Sequence, residues 1–337
     1  MIRIAVIGAG AWGFNHVRTF DRLPDCQLQA VVDQEEKTLE RVSAHFRDVE
    51  TGQDYQPVVS REDIDAVVVA TSAESHYQIA KAALQAGKHV LVEKPLVLNS
   101  TQGREIVELA EEKDLVLAVG HLLLYHPAVE KLKELVQSGE LGDIYYLYSS
   151  RINLGKVRTA ENALWSFAPH DISVMLYLVD AMPDQVSATG QSFLNAGIED
   201  VAFFTLHFPG GAMGHGQVSW LDPHKIRKIT VVGSKKMVVF DDMESAEKIK
   251  LYDKGVDAPP SYDSYGEYQN LRIGDIIIPR IRMAEPLRNE CQHFLDCITT
   301  GQRPLADGQE GLQVLRVLEA AQESLKNRGV PVELGDK

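Results

Sequence analysis

Cysteine is scarce in this chain of 337 residues, and its three cysteines, Cys26, Cys291 and Cys297, show no metal-ligand spacing. They read as buried free thiols in a reducing cytoplasm, not as a disulfide framework. Long apolar runs are also missing. No stretch approaches the roughly 20 residues that cross a bilayer, so no membrane partner is expected. The chain starts directly on a strand-like segment, which predicts no signal or transit peptide. Positive charge is in deficit, and a net charge of −14 argues against nucleic acid as a partner. An anionic small molecule stays open, provided a local basic patch receives it. Repeats and low-complexity segments are absent. The length suits two domains.

What is present begins at once. Met1 to Ile7 reads as a buried strand and runs into Gly8-Ala9-Gly10-Ala11-Trp12-Gly13. A helical stretch and a second strand, Leu28 to Val32, follow, and that strand ends on Asp33. This is a complete dinucleotide fingerprint. Gly8 permits a tight turn, Gly10 lets the backbone approach a pyrophosphate, and Gly13 lets helix and strand pack closely. The helix N-terminus offers N–H groups to phosphates. The Asp33 carboxylate can accept from both adenine-ribose hydroxyls and repels a 2′-phosphate, so NAD is expected over NADP. Gly8, Gly10, Ala11, Trp12, Gly13 and Asp33 are the expected cofactor contacts.

The alternation of strand and helix continues to about residue 120 and implies a parallel sheet with helices on both faces. Ala66–Ala70, His89–Val92 and Leu115–Val119 read as strands, and Glu74–Gln85 and Thr101–Lys113 as helices, the latter capped by Ser100. After a helix from Pro127 to Val136 the pattern changes. Ile144–Ile152, Gln185–Phe193, Val201–Phe208, Ala212–Trp220, Lys225–Val232 and Lys236–Phe240 alternate in polarity and are joined by short turns. Residues 253–283 read as an excursion or loop, and 285–299 and 308–326 as helices. The expected architecture is α/β: a Rossmann domain over 1–123, binding NAD, then an α+β domain over 124–337 for substrate and oligomerisation. The second domain carries a large open, mainly antiparallel sheet. Its free face needs a cover, and a second copy of the chain is the usual one, giving a homo-oligomer, dimer or tetramer.

Glu93-Lys94-Pro95 follows the His89–Val92 strand, at the carboxyl end where parallel sheets bind ligands. Lysines in turns are commonly plain surface groups, but this position aims Lys94 at the cofactor crevice. There it can polarise a carbonyl or hydroxyl. The fingerprint with Trp12 inside it, the run Ala86-Gly87-Lys88-His89-Val90-Leu91-Val92-Glu93-Lys94-Pro95 and the open-sheet second domain resemble the Gfo/Idh/MocA oxidoreductases over nearly the whole chain. The resemblance implies hydride transfer between a nicotinamide and a secondary alcohol carbon, usually on a sugar. It also implies a cis bond before Pro95 and a catalytic Lys94. Trp12 would flank the nicotinamide end, with Thr71, His76, Glu93, Lys94 and His121 as cofactor neighbours.

The family's second catalytic group is a histidine at the start of a helix, matched here by His170 in Leu164-Trp165-Ser166-Phe167-Ala168-Pro169-His170-Asp171-Ile172. Pro169 suits a first helical turn, which would set His170 at a helix N-terminus. A neutral imidazole there can take a hydroxyl proton, although the residues alone also allow a simple cap. Inositol dehydrogenase-like members carry an aspartate four residues earlier, and this chain has Ser166, so the orienting partner of His170 differs. Arg151, Lys156 and Arg158, with Asn153, Asn162 and Trp165 interleaved, form the basic patch a diphosphate sugar requires. A solvated loop is the plainer reading of the same charges. His224, Lys225, Arg227 and Lys228 form a second cluster on a strand. Tyr125 and His126 fit packing as well as function.

The segment from Asn153 to Ile172 resembles the nucleotide-sugar branch of the family, which oxidises C3 of UDP-N-acetylhexosamines. The expected substrate residues are Lys94, Arg151, Asn153, Lys156, Arg158, Asn162, Trp165 and His170, with no metal. A free sugar, polyol or UDP-uronate substrate, or a non-catalytic NAD-binding regulator, are the alternatives.

Overall fold

Strands buried on both faces need no polar side, and the first part of the chain supplies them. Ile4 to Ile7, Ala66 to Val69 and Val90 to Val92 are each at most 2% exposed. The computed structural model describes residues 1–256 and 271–335. It divides into two compact units, Met1–His126 with Ala284–Glu319, and Pro127–Met283 with Ala320–Lys337.

The first unit alternates β1 (Ile2–Ile7), α1 (Gly13–Arg22), β2 (Cys26–Val32), α2 (Glu36–His45), β3 (Glu50–Gly52), α3 (Tyr55–Val59), β4 (Ala66–Val69), α4 (Ala73–Gln85), β5 (His89–Val92), α5 (Ser100–Glu112) and β6 (Leu117–Val119). The six strands pair in parallel in the order β3-β2-β1-β4-β5-β6. The order reverses beside β1 and β4, the switch point at which such sheets open a crevice. Gly8, Asp33 and Glu93 follow the carboxyl ends of β1, β2 and β5. Asn99, not Ser100, caps α5: its Oδ1 accepts the Gln102 N–H at 2.9 Å. Ser100 has already entered the helix, and its own N–H donates to Glu319.

The second unit holds α6 (Pro127–Gln137), β7 (Ile144–Ile152), α7 (Ala163–Val179), β8 (Gln185–Gln191), β9 (Val201–His207), β10 (Met213–Ser219), β11 (Ile226–Gly233), β12 (Met237–Asp241), β13 (Ile249–Val256) and β14 (Leu271–Ile277). The chain ends with α8 (Pro286–Thr300), which belongs to the first unit, α9 (Gly308–Lys326) and β15 (Val332–Glu333). The nine strands run β14-β13-β12-β11-β7-β10-β9-β8-β15, antiparallel except for the parallel pair β7–β10.

Part of the stretch 253–283 is therefore sheet and not loop. The Tyr, Asp and Pro density that suggested a loop is greatest in 257–270, outside the described residues, and it masked the flanking strands. α7 packs on one face of the sheet, over β7, β9 and β10. The other face presents Tyr146, Tyr148, Phe203 and Met213, each exposed by 38–41%. All three cysteines are free and buried. Among the described residues no helix is long and apolar enough to cross a membrane.

Candidate functional site

The glycine turn is fixed by contact. Gly8 has φ +91°, and a Cβ there would lie 2.7 Å from the Ala70 carbonyl and the Thr71 nitrogen. A Cβ on Gly13 would lie 2.0 Å from the Gly8 carbonyl oxygen, so helix and turn touch as the fingerprint requires. Nothing lies within 4 Å of a Cβ built on Gly10, so that side of the turn is open. No side chain caps α1 at Trp12. Asp33 takes the Ala9 N–H on one oxygen (2.7 Å) and the Glu35 N–H on the other (2.9 Å). Each oxygen keeps a second acceptor direction for a ribose hydroxyl. Arg41, which the motif did not reveal, donates to the Ala9 and Gly10 carbonyls and lies over the Phe14 ring. These residues fit a dinucleotide: Gly8 to Gly13 to cradle its phosphates, Asp33 to hold its ribose.

Glu93 is the hub of the neighbouring strand end. Its Oε1 accepts from the Trp12 indole N–H and from His16 Nε2 (2.7 Å), and its Oε2 accepts the Lys94 backbone N–H (3.2 Å). Burial pushes the Glu93 carboxyl up, but the His16 and Trp12 hydrogen bonds and the Lys94 charge bring it below the ordinary value. The Lys94–Pro95 bond is cis. His76 braces it from the side. Its Nδ1 is 2.8 Å from the Pro95 carbonyl and its Nε2 is 3.2 Å from the Thr71 carbonyl, and a neutral ring donates to one of the two. Burial pushes the His76 pKa down. His76 thus shapes the turn. His121, 1% exposed, pairs through Nδ1 with Glu310 at 2.5 Å. Tyr125 is packing: its hydroxyl accepts the Ala306 N–H and its carbonyl the Asn289 amide. His16, Glu310 and Arg41 were not found from sequence. Only His16 left a signal, standing one helical turn after Trp12.

In the second unit α7 begins at Ala163, so His170 lies within the helix and not at its N-terminus. Asn162 is the true cap. Its Oδ1 accepts the Trp165 N–H (3.1 Å), and its amide donates to Glu199 (2.5 Å) and Gln322 (2.8 Å). Pro169 sits inside the helix, where it supplies no N–H to the Trp165 carbonyl one turn earlier. Trp165 spends its indole N–H on Gln322 (3.0 Å). Asn162 and Trp165 therefore build the helix start, with their donors consumed.

Arg151 is also committed. Its fork donates to both Asp171 oxygens, at 2.8 and 3.0 Å, and the pair is buried. It joins β7 to α7, and the pairing engages both Asp171 oxygens. Ser166, one turn before His170, is 3% exposed. Asn153, Lys156 and Arg158 remain on the loop between β7 and α7. Arg158 pairs with Glu161 at 3.0 Å while half-exposed, a pairing weak enough to exchange for another anion. In the second cluster Arg227 and Lys228 are paired with Asp242 and Asp241.

Comparison with known proteins places this geometry. Residues 2–121 match the family model described as oxidoreductase family, NAD-binding Rossmann fold, and residues 129–239 match the GFO/IDH/MocA C-terminal domain. The chain is 27% identical to scyllo-inositol 2-dehydrogenase (NAD(+)) of Bacillus subtilis, over 100% of this chain and 97% of that one. It is 25% identical to UDP-N-acetylglucosamine 3-dehydrogenase of Acidithiobacillus ferrooxidans, over 93% of this chain and 94% of that one. The solved structure of the latter superposes with a TM-score of 0.83 at 23% identity, covering 97% of this chain and 98% of that chain.

Proposed function

The chain belongs to the Gfo/Idh/MocA oxidoreductases, and we propose that within this NAD-binding family it oxidises the C3 hydroxyl of a UDP-N-acetylhexosamine, UDP-N-acetylglucosamine foremost, to the 3-keto sugar. NAD, when bound, supplies the hydride acceptor. Lys94 polarises the reacting C–O and His170 takes its proton. Asn153, Lys156 and Arg158 hold the diphosphate sugar. The first unit binds the cofactor and the second the substrate. One observation carries the choice of a nucleotide sugar over a polyol: the carboxylate of the inositol pattern is absent. Ser166 stands in its place, and Asp171, the adjacent acid, is bound to Arg151.

The polyol reading keeps one specific support, the full-length similarity to scyllo-inositol 2-dehydrogenase. Turnover separates the two. Purified protein with NAD is given UDP-N-acetylglucosamine, its uronate, UDP-glucose, N-acetylglucosamine or scyllo-inositol, and the products are weighed by mass spectrometry. Loss of two hydrogens from a UDP-sugar alone supports the proposal. Oxidation of inositol alone overturns it. No turnover with NAD still bound favours a non-catalytic regulator.

We assign the exposed aromatic face of the nine-stranded sheet to a second copy of the chain, in a dimer or tetramer. A cytoplasmic location suits the three thiols.

A further inference from the structure

The first unit contains a buried acid that the reading above does not use. Glu290, on α8, is 2% exposed, and among the described residues neither of its carboxyl oxygens has a hydrogen-bond partner. One of those oxygens, one from Glu93 and one His16 ring nitrogen all lie within 4.8 Å of one another. Two carboxylates this close in a buried site cannot both be ionised at tolerable cost. The donors decide which one keeps the charge. Trp12, His16 and the Lys94 backbone N–H all point at Glu93. His16 must donate at Nε2, because a carboxylate there can only accept, and its Nδ1 lies 3.8 Å from Cys291 Sγ.

The other titratable groups around Glu290 are Tyr125 and its α8 neighbour Cys291, both neutral acids that burial makes weaker still. None of them can neutralise a Glu290 anion. A metal ion fits the donor set poorly, since the lone pairs of Glu93 Oε1 are already taken by two N–H groups.

We propose that Glu93 and Glu290 share a single proton, carried by Glu290, and that Glu290 is thereby a positioning residue holding the pair at one negative charge next to Lys94. Burial and the Glu93 charge both push Glu290 well above the usual carboxylate range, in the same direction as the geometry. The charge that remains on Glu93 ties the start of α1, through Trp12 and His16, to the Lys94 turn. A second negative charge would compete for those donors and for the Lys94 ammonium. The importance of that turn rests on the functional reading above. The shared proton does not.

The sign of the linkage follows. A carboxyl with a raised folded pKa gives stability that is complete below its unfolded value of about 4.3 and is lost as pH rises toward the folded value. Glu290→Met, which fits the volume and needs no partner, has no such proton to lose. The unfolding constant of the wild-type chain should rise relative to Glu290→Met by up to about tenfold per pH unit above pH 5.

The test uses the full chain without ligand: denaturation of both proteins from pH 5 to 8, and infrared spectra in D2O at pH 8. Glu290→Gln serves as a second neutral variant if Glu290→Met does not fold. The proposal predicts diverging stabilities and a protonated-carboxyl band in the wild type that both variants lack. Parallel stability curves, or a band that survives substitution, overturn it. So does one equivalent of added zinc bound by the wild type and not by the variants. Since no substrate or cofactor enters the test, failure of the functional reading leaves its outcome unaffected.

Discussion

On the proposed function, Asp33 and Lys94 separate binding from chemistry. The Asp33 carboxylate is held by two N–H groups at the end of β2, so its charge is fixed in place. Removing that charge in Asp33→Asn should relax cofactor choice. One charge–charge repulsion of about 1–4 kcal/mol is lost, so NADP use should rise relative to NAD by roughly fivefold or more in kcat/KM. An unchanged ratio would contradict the role of Asp33. Lys94→Ala should lower kcat by about 10²–10⁴, the usual worth of a positioned acid–base group, while NAD affinity by fluorescence titration changes little. Both residues were legible because strand-end position and motif register fix where a side chain stands. Arg151 was not. A basic residue beside two others looks like an anion site in sequence, and nothing local says that Asp171, twenty positions later, faces it across a helix–sheet interface.

Among elements, α7 shows most clearly where sequence reasoning stops. A proline in an apolar helical stretch looks like a helix start, so the sequence pattern points to Pro169 for the first turn and leaves Asn162 looking like a loop residue. The true start is marked by the Asn162 side chain on the Trp165 N–H, a local cap that substrate-seeking logic passes over. Asn162→Ala should cost about 1 kcal/mol for the cap, and more for the lost bonds to Glu199 and Gln322. Urea denaturation reads it. Asp171→Asn should cost more, about 3–5 kcal/mol, because it strands a buried Arg151 charge. If both variants unfold at the wild-type urea midpoint while substrate affinity falls, these residues bind ligand after all. β1 to β6 were readable from pattern alone, since buried parallel strands are continuous apolar runs. β13 and β14 were hidden by the polar stretch between them, and nothing in the pattern of α8 says which sheet it joins.

For the molecule as a whole, the exposed aromatic face and the choice of substrate are the two claims that matter. Tyr146 and Tyr148 stack at 6.3 Å on a face lined by Met213 and Phe203, a patch unusual on a monomer's surface. Light scattering should find an oligomer, and Tyr148→Lys should shift it toward monomer. A clean wild-type monomer would sink that assignment. The family and its cofactor were legible in the motifs. The exact substrate was not, because the motifs that identify the family do not spell it out.

The most direct test of the central claim is isotopic. UDP-N-acetylglucosamine deuterated at C3 is mixed with the purified protein and NAD, and both nucleotides are weighed after a single turnover. The account predicts deuterium in the reduced cofactor and a 3-keto UDP-sugar lacking it. Deuterium retained in the sugar, with NAD bound and unreduced, would contradict it.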